Sequence, residues 1–519
     1  LLRAGQRDDP ADILAYLETL AGDVVSRDRL ERFVDEAPKM MTFLEGQGRY
    51  LREGFFWISG YSDYHPDRGG HPLGRGLWAS PIDRRELGDE MRLLRPGQKR
   101  MQLPLGAWIT SIDLHHLLAV RWGGIMHKRI LLKLGWRVLR ARVLGERMAA
   151  SGQALSIRLW LTLREKQIPV WRETPMTSLL TDDDGRVIGV AAERNGQPIR
   201  ILARHGVILA SGGFDHDLEM RKQYEPAVTE DWSLGSPSNV GDGHRAAQAL
   251  GAAVDLMDDA WWMPTMRMPD DTLAGLVAER QYPGQFIVNA EGRRFVNEST
   301  PYVDFGHAQI AGHRTGVSHI PGWMVIDDRA WRRNIIAGHF PGTPLPRRWI
   351  ESGLAHTAPT IEELAVKIGV PPRALAETQE RFNGFARRGI DDDFHRGESA
   401  YDRYYGDPAY TNPNLAEVKE PPFIALAITP GDLGTKGGVV TDPDARVLRE
   451  DGSAIAGLWA CGNVSAAVMG HDYAGPGATL GSAMTFAYVA GNAIAAAVAA
   501  GGGGGAGGGG GPAATAAQS

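Results

Sequence analysis

The chain has 519 residues and a formal net charge of −6, so it exceeds one average domain and can bury sizeable cores. The negative charge argues against a dedicated nucleic-acid binder, which needs a basic surplus to neutralise phosphates. A single cysteine, Cys461, excludes an internal disulfide and a cysteine-rich metal site, and we expect no bound metal.

The two ends of the chain differ from its globular middle. It begins with Leu-Leu-Arg and no methionine, so we expect a fragment of a longer protein. Residues 501–519 are almost pure glycine and alanine and predict a flexible tail. We recognise neither a signal peptide nor an apolar run long enough to cross a bilayer, and a reducing, cytoplasmic setting fits best.

Residues 8–46 predict two amphipathic helices, one after Pro10 and one capped by Ser26 or Asp28. Residues 55–76 form a loop dense in aromatics, glycine and proline. Loops mostly contact water, so aromatics in a loop indicate a lined surface. Tyr61 and Tyr64 are therefore candidates for a pocket wall, although packing of the loop onto the core explains them equally well.

Residues 121–147 form a strongly basic segment in which Glu146 is the single acid. Its apolar residues fall roughly on one side of a helix: Ile130, Leu131, Leu134, Trp136, Val138, Leu139, Val143 and Leu144. A helix of this kind can lie on an anionic membrane surface. A solvated helical face is the alternative.

From Leu155 onward the pattern is that of an α/β fold. A helix precedes a hairpin around the turn Asp182-Asp-Asp-Gly185, and a buried strand follows, closing on Gly212-Gly213. Such a strand brings backbone close to a ligand at the carboxyl edge of a parallel sheet. Another helix begins near Asp242.

Residues from about 255 to 430 are richer in tryptophan, proline and arginine, and they predict an inserted second domain. Within them, residues 285–289 and 293–302 resemble a hairpin that runs into an aromatic loop. The sequence pattern of an α/β fold resumes with Gly434-Thr-Lys-Gly-Gly438.

The stretch from Gly457 to Gly491 combines a strand, a Gly462-Asn463 turn, Tyr473 and a helix that begins after Gly475-Pro-Gly477. Unpaired amides and the partial positive charge of a helix N-terminus favour an anionic or electron-rich group there. The glycine spacing imitates a dinucleotide fingerprint but has one residue too many.

Six motifs together resemble the FAD-dependent oxidoreductases of the fumarate reductase/succinate dehydrogenase superfamily, and the last one resembles the 3-ketosteroid Δ1-dehydrogenases within it. They are Gly206-Val-Ile-Leu-Ala-Ser-Gly-Gly-Phe214, Asn239-Val-Gly-Asp-Gly243, Gly292-Arg-Arg-Phe-Val-Asn-Glu298, Gly434-Thr-Lys-Gly-Gly438, Gly457-Leu-Trp-Ala-Cys-Gly-Asn463 and Tyr473-Ala-Gly-Pro-Gly-Ala-Thr-Leu-Gly481.

The fold implied by this resemblance is α/β with an α+β insert. A discontinuous Rossmann-like FAD-binding domain (1–260 and 431–500) is interrupted by a substrate-binding domain (261–430), and a tail follows (501–519). The resemblance also implies that family members begin with a GxGxxG unit, which is absent here, so the FAD-binding domain lacks its first βαβ unit. Either that segment is missing from the sequence, or the chain is a truncated, non-catalytic relative that binds FAD weakly.

The implied reaction is 1,2-desaturation of a 3-ketosteroid or similar cyclic ketone, with an external electron acceptor. Tyr473 and the Gly477 N–H would hold the C3 carbonyl oxygen as an oxyanion hole. Tyr302 would take the C2 proton, and Tyr64 would hydrogen-bond Tyr302. A tyrosine base needs its pKa pulled down from about 10, so we expect donors or positive charge beside Tyr302.

The resemblance assigns the FAD contacts to three places. Val170 is implied near the adenine, Ala210 and Gly212 near the nucleotide, and Gly462, Asn463, Ala478 and Leu480 near the flavin. The other implied contacts are Gly213, Gly241 and Asp242.

A fumarate reductase is the nearest alternative within the superfamily, but it binds a dicarboxylate through converging arginines and histidines. The stretch after Asn463 offers His471 and no arginine, which favours a ketone over a doubly charged acid.

Overall fold

The computed structural model describes residues 5–97, 108–110, 113, 115 and 125–501. The helices are α1 (Pro10–Ala21), α2 (Arg27–Glu45), α3 (Arg49–Arg52), α4 (Ile125–Leu144), α5 (Ser151–Glu165), α6 (Leu218–Tyr224), α7 (Asp242–Gln248), α8 (Tyr302–Arg314), α9 (Asp328–Arg333), α10 (Arg347–Glu351), α11 (Ile361–Ile368), α12 (Pro372–Arg388), α13 (Ala400–Arg403) and α14 (Ala478–Gly501).

The strands are short except for one. They are β1 (Phe55–Trp57), β2 (Leu77–Ala79), β3 (Ile82–Asp83), β4 (Met148–Ala149), β5 (Met176–Thr181), β6 (Val187–Arg194), β7 (Gln197–Leu202), β8 (Val207–Leu209), β9 (Val254–Asp255), β10 (Ala260–Arg267), β11 (Leu273–Gly275), β12 (Gln285–Val288), β13 (Gly322–Ile326), β14 (Ala355–Ala358), β15 (Phe423–Thr435), β16 (Gly438–Val439), β17 (Arg446–Leu448) and β18 (Ala454–Ala460).

Helices α1 and α2 confirm the two amphipathic helices expected near the start of the chain. Asp9 caps α1 by accepting a hydrogen bond from the Ala11 N–H at 2.9 Å. The apolar face of α1 buries Tyr16, Leu17 and Leu20. These residues share one core cluster with the later part of the chain, including Tyr473 and Phe486.

The α/β part contains two three-stranded sheets. In the first, β5, β6 and β7 pair antiparallel, which confirms the expected hairpin around Asp182. In the second, β18 lies between β17 and β8, and β8 pairs with it in parallel. Among the described residues β8 is an edge strand. The carboxyl ends of β8 and β18 therefore meet at one place.

The inserted part is built on an antiparallel sheet of six strands in the order β11-β10-β15-β13-β12, with β14 also paired to β15. The sheet runs from Ala260 to Thr435, slightly beyond the expected limits of 261–430. One expectation was wrong. Strand β12 pairs with β13 and not with residues 293–302, and Tyr302 begins helix α8.

Helix α4 confirms a helix in the basic segment, but its apolar residues do not share one side. Ile130 is buried, whereas Leu132, Trp136, Leu139 and Val143 are exposed. Asp113 adds to Glu146 as an acidic partner, since it pairs with Lys133 and Arg137 at 2.7 Å each.

One helix in the described part, Ala478–Ala499, is long and apolar enough to cross a membrane by length and composition. This differs from the expectation that no such run exists. Its residues Phe486, Val489 and Ala490 are buried in the cluster that contains α1 and α2, and Phe486 stacks on Phe33 with ring centroids 6.3 Å apart. One side of this helix therefore packs into that core cluster.

Candidate active site

Three separate segments bring tyrosine side chains to one place. Tyr64 lies in the loop between β1 and β2, Tyr302 is the first residue of α8, and Tyr473 lies just before α14. All three are buried. The Tyr64 N–H donates to the carbonyl of Ala474 at 3.0 Å, which ties the first loop to the segment that carries Tyr473.

The three phenols are in direct contact. The Tyr64 hydroxyl donates to the Tyr302 hydroxyl at 2.5 Å. The ring centroids of Tyr64 and Tyr302 both lie within 5.5 Å of Tyr473, at 5.0 and 5.4 Å. Tyr61 instead stacks on Tyr404 at 4.6 Å. The structure thus places Tyr64, rather than Tyr61, beside Tyr302.

The pKa of Tyr302 moves in the direction opposite to the one expected from the sequence. Burial, together with the neighbouring Tyr473, raises it well above 10, and the hydrogen bond with Tyr64 opposes the rise. Burial also raises the pKa of Tyr64. The pKa of Tyr473 is raised by burial, while hydrogen bonds with Tyr302 and Thr479 act against it. Desolvation of the phenolate therefore outweighs the donors around it.

Gly477 lies at the start of α14 in a conformation that favours glycine, with φ +87. A Cβ built there would meet nothing within 4 Å, so the backbone faces open space. The Gly481 N–H donates to the Gly477 carbonyl at 2.7 Å, which begins the helical hydrogen bonding. The N-terminus of α14 is therefore accessible to a ligand beside Tyr473.

A cavity of about 510 Å³ reaches this helix terminus. Its walls come from α1, α2, β2 and the stretch before α14, and they include Tyr16, Phe33, Trp78, Gly477, Leu480 and Gly481. The side chain of Leu480 remains 53% exposed. Both the volume and the mostly apolar lining are typical of a site for an organic ligand.

Most of the predicted cofactor contacts gather at the carboxyl ends of β8 and β18. Ala210, Gly212 and Gly213 follow β8, and Gly462 and Asn463 follow β18. Gly241 and Asp242 join them, because the Gly241 N–H donates to the Gly213 carbonyl at 3.1 Å and Asp242 begins α7. Ala478 and Leu480 lie on the first turn of α14, which packs against the Gly462–Val464 turn.

The glycines of this cluster serve different purposes. Gly213 and Gly241 are required by protein packing, since a Cβ would run into Thr435 or Met220. At Gly462, by contrast, the nearest atom would be 3.5 Å away. Val170 is exposed in the loop between α5 and β5, and no described contact joins it to the cluster.

These residues fit FAD. Ala478 and Leu480 line the cavity at the N-terminus of α14, where helix amides and the dipole favour an electron-rich edge. The Ser211 hydroxyl, beside Gly243, is buried without a hydrogen-bond partner among the described residues. Val170 stays a prediction.

Residues beyond the predicted set support Tyr473. Trp261 packs on Tyr473 with ring centroids 4.9 Å apart, and the buried Lys436 lies 4.9 Å from the Trp261 ring centroid. Lys436 also donates to the carbonyls of His471 and Asp472. The glycine-rich motif around Lys436 was the only signal in the sequence that could have found it.

Asp259 anchors the other side of this arrangement. It accepts hydrogen bonds from Trp262 at 2.7 Å and His307 at 2.8 Å, and it contacts His471 at 3.0 Å. Burial by itself would raise the pKa of Asp259. Lys436 and the two histidines outweigh burial and hold that pKa well below its usual range. Asp259 therefore stays ionised and fixes the segment that leads into Tyr473.

The chain matches the family described as "FAD binding domain" over residues 1–480. It is 44% identical over 511 residues to a 3-oxosteroid 1-dehydrogenase of Mycolicibacterium smegmatis, a match that covers 96% of this chain and 88% of that protein. It is 35% identical to a 4-oxocyclohexanecarboxylate 2-dehydrogenase of Sinomonas cyclohexanicum, covering 95% of this chain and 83% of that protein.

A solved structure agrees with these sequence matches. The 3-ketosteroid Δ1-dehydrogenase of Sterolibacterium denitrificans, in complex with 1,4-androstadiene-3,17-dione, superimposes with a TM-score of 0.87 at 38% identity and covers 95% of this chain and 89% of that one. A flavocytochrome c3 fumarate reductase shares the fold, with a TM-score of 0.57 at 19% identity, covering 95% of this chain and 68% of that one. The chain therefore belongs to the FAD-binding family of oxidoreductases that contains the 3-oxosteroid 1-dehydrogenases.

Proposed function

We propose that this protein desaturates the C1–C2 bond of a 3-ketosteroid. The observation that carries the proposal is the contact of three buried phenols, with the Tyr64 and Tyr302 oxygens 2.5 Å apart, beside the open N-terminus of α14. Two 3-oxosteroid dehydrogenases among the relatives, one known in complex with a steroid dienone, support the substrate class.

The residues of the chain have distinct tasks in this proposal. The Tyr473 hydroxyl and the Gly477 N–H donate to the C3 carbonyl oxygen, and this favours the enolate that develops when a proton leaves C2. Tyr302 accepts that proton on its phenol oxygen, and Tyr64 donates a hydrogen bond to the same oxygen. The residues that follow β8 and β18 would hold FAD, which would supply the acceptor for the hydride that leaves C1 and an outlet for its electrons to an external acceptor.

A smaller cyclic ketone is the competing substrate, because a relative acts on 4-oxocyclohexanecarboxylate by its name. The experiment offers the FAD-loaded protein 4-androstene-3,17-dione and 4-oxocyclohexanecarboxylate separately, with an artificial electron acceptor. We expect the steroid to lose two hydrogens, as read by mass spectrometry. Turnover of 4-oxocyclohexanecarboxylate alone would identify the smaller cyclic ketone as the substrate instead. A protein that holds no FAD and turns over neither ketone would support the non-catalytic alternative.

We also propose that the enzyme works in the cytoplasm against a membrane, with α4 as the contact. Leu132, Trp136, Leu139 and Val143 recur at helical spacing and form one outward stripe. Leu132 is 75% exposed and Trp136 is 64% exposed. The exposed Lys128, Arg129 and Arg142 flank the stripe.

This combination of exposed apolar and basic side chains favours binding of α4 to an anionic lipid surface. An apolar stripe enters the interface while flanking cations pair with lipid headgroups. Steroids partition into bilayers, so a membrane-bound enzyme would meet its substrate there. Binding to vesicles of phosphatidylserine, but not of phosphatidylcholine, is the expected result.

A further inference from the structure

Each of the three segments that carry a tyrosine of the candidate site also carries an ionisable group beside it. His65 follows Tyr64, Asp304 lies two residues after Tyr302, and Asp472 precedes Tyr473. Their side chains converge, since one nitrogen and two carboxylate oxygens lie within 4.8 Å of one another. Neither the motifs nor the proposed reaction uses these three residues.

His65 lies between the two acids. Its Nδ1 is 3.8 Å from Asp304 Oδ2, and its Nε2 is 3.7 Å from Asp472 Oδ1. The residue is 4% exposed, and Nε2 has no hydrogen-bond partner among the described residues. A protonated imidazole has an N–H on each side and can serve both carboxylates, whereas a neutral imidazole can donate to one.

Electrostatics favours a positive charge at this position. Two carboxylates this close repel each other where water is scarce. Burial raises the pKa of Asp304, the charge of Asp472 adds to the rise, and His65 opposes it. The other charged or titratable groups that act on the cluster are Arg68, 3.0 Å from Asp472, His307 and Lys436, and Tyr16, whose hydroxyl accepts from the His65 N–H.

The same residues offer ligands of the kind that divalent metals take, but their arrangement does not suit one ion. The two ring nitrogens of His65 face different carboxylates, and one nitrogen of a histidine binds a given ion. Asp472 already pairs with the guanidinium of Arg68, which a metal would have to displace or repel.

We propose that His65 is a positioning residue: it lies between Asp304 and Asp472, joins them, and thereby sets the distances among Tyr64, Tyr302 and Tyr473. This inference rests on the proposed function, because positioning is read through turnover. Misplacement of reacting groups by about 1 Å costs up to about 10²-fold in rate. Loss of the bridge should therefore lower kcat while leaving ketone binding largely intact.

The experiment compares FAD-loaded wild type with His65→Gln, which removes the imidazole but keeps a polar side chain. We expect kcat to fall about tenfold and KM to change less than about threefold. The double variant His65→Gln/Asp472→Asn should recover most of the lost kcat, since it relieves the repulsion. His395→Gln, at an exposed histidine, is the matched control and should behave as wild type.

Flavin absorbance, thermal unfolding and metal content are measured on the same samples. An unchanged kcat in His65→Gln, a loss that appears in KM alone, or a double variant no better than His65→Gln would overturn the positioning role. A stoichiometric metal that disappears in His65→Gln would also overturn it. If His65→Gln does not fold, Asp304→Asn and Asp472→Asn each remove one carboxylate partner of the imidazole, and unchanged kcat in both would contradict the bridge. A wild type inactive on every ketone would instead refute the proposed function.

Discussion

In the proposed reaction, the hydroxyl of Tyr473 is the side-chain donor that activates the ketone. Tyr473→Phe removes that donor while it keeps the ring packed against Trp261 and Tyr64. We expect kcat to fall by about 10²-fold or more, because a preorganised oxyanion-hole donor contributes about that factor. Steady-state turnover of 4-androstene-3,17-dione measures the change.

Tyr410→Phe provides the matched control for this substitution. Tyr410 lies in the loop after α13, away from the tyrosine cluster, and the same loss of a hydroxyl there should leave kcat unchanged. If Tyr473→Phe also turned over at the wild-type rate, Tyr473 would have no role in holding the carbonyl.

Tyr302 predicts a pH dependence whose sign follows from its environment. Burial raises its pKa well above 10, so the phenol is protonated at neutral pH and each pH unit increases the phenolate fraction about tenfold. We expect kcat to rise with pH between about pH 7 and about pH 9. Tyr302→Phe should keep its bound flavin but lose both the turnover and the rise. If kcat of Tyr302→Phe rose with pH as it does in wild type, a group other than Tyr302 would be the base that takes the C2 proton.

The sequence predicted the tyrosines of the site but not their surroundings. Tyr302 and Tyr473 could be named because they lie in or near motifs that carry the family resemblance, and Tyr64 because it lies in an aromatic loop and the resemblance implies a role for it. The roles proposed for them stay predictions. Trp261 and His65 could not be found in this way, because their contacts join segments hundreds of residues apart and burial leaves no local pattern. Lys436 lies inside a motif, but nothing local shows that it approaches Trp261. The same burial reversed the expected direction of the Tyr302 pKa.

Among the elements, helix α4 carries the prediction about membranes. Trp136→Ser combined with Leu132→Ser removes two of the most exposed apolar side chains of the stripe. Burial of each such side chain contributes about 1.5–3 kcal/mol, so we expect binding to phosphatidylserine vesicles to weaken at least about tenfold. Co-sedimentation with vesicles measures the bound fraction.

Val366→Ser serves as the control. Val366 on α11 is about as exposed as Leu132 and Trp136, but α11 carries one cation, Lys367, and two glutamates. The control should bind vesicles as wild type does. Unchanged binding by the α4 variant, or equal binding to phosphatidylcholine, would contradict a contact made by this helix.

The elements also show where sequence patterns stop being informative. The periodicity of α1 and α2 and the turn at Asp182 are local, and both predictions were confirmed. Strand β12 was assigned the wrong partner because its true neighbour, β13, lies more than thirty residues further along. The Asn289 turn imitates a hairpin, since the Asn289 N–H donates to the Arg293 carbonyl at 3.0 Å, but no strand follows it.

At the scale of the whole molecule, a buried charge network holds the inserted part together. Arg396 is fully buried and donates to the carbonyls of Gln285 and Tyr282 at 2.8 Å each and to Glu298 at 3.1 Å. Arg396→Met leaves Glu298 and these carbonyls without that donor. We expect a loss of about 3–5 kcal/mol in the free energy of unfolding, measured by urea denaturation.

The matched control is Arg381→Met, whose exposed guanidinium pairs with Asp393 on the surface. An exposed pair contributes about 0–1 kcal/mol. Equal losses in the two variants would show that the Arg396 network does not stabilise the molecule beyond a surface ion pair.

The central claim is that the whole chain, loaded with FAD, uses its tyrosine cluster to remove one hydrogen each from C1 and C2 of a 3-ketosteroid. The most direct measurement is an anaerobic single turnover with 4-androstene-3,17-dione deuterated at C2, followed by flavin absorbance and product mass. The account predicts loss of flavin absorbance, a 1,4-dien-3-one that has lost deuterium from C2, and slower bleaching than with the unlabelled steroid. A flavin spectrum that stays unchanged with every 3-ketosteroid would contradict it.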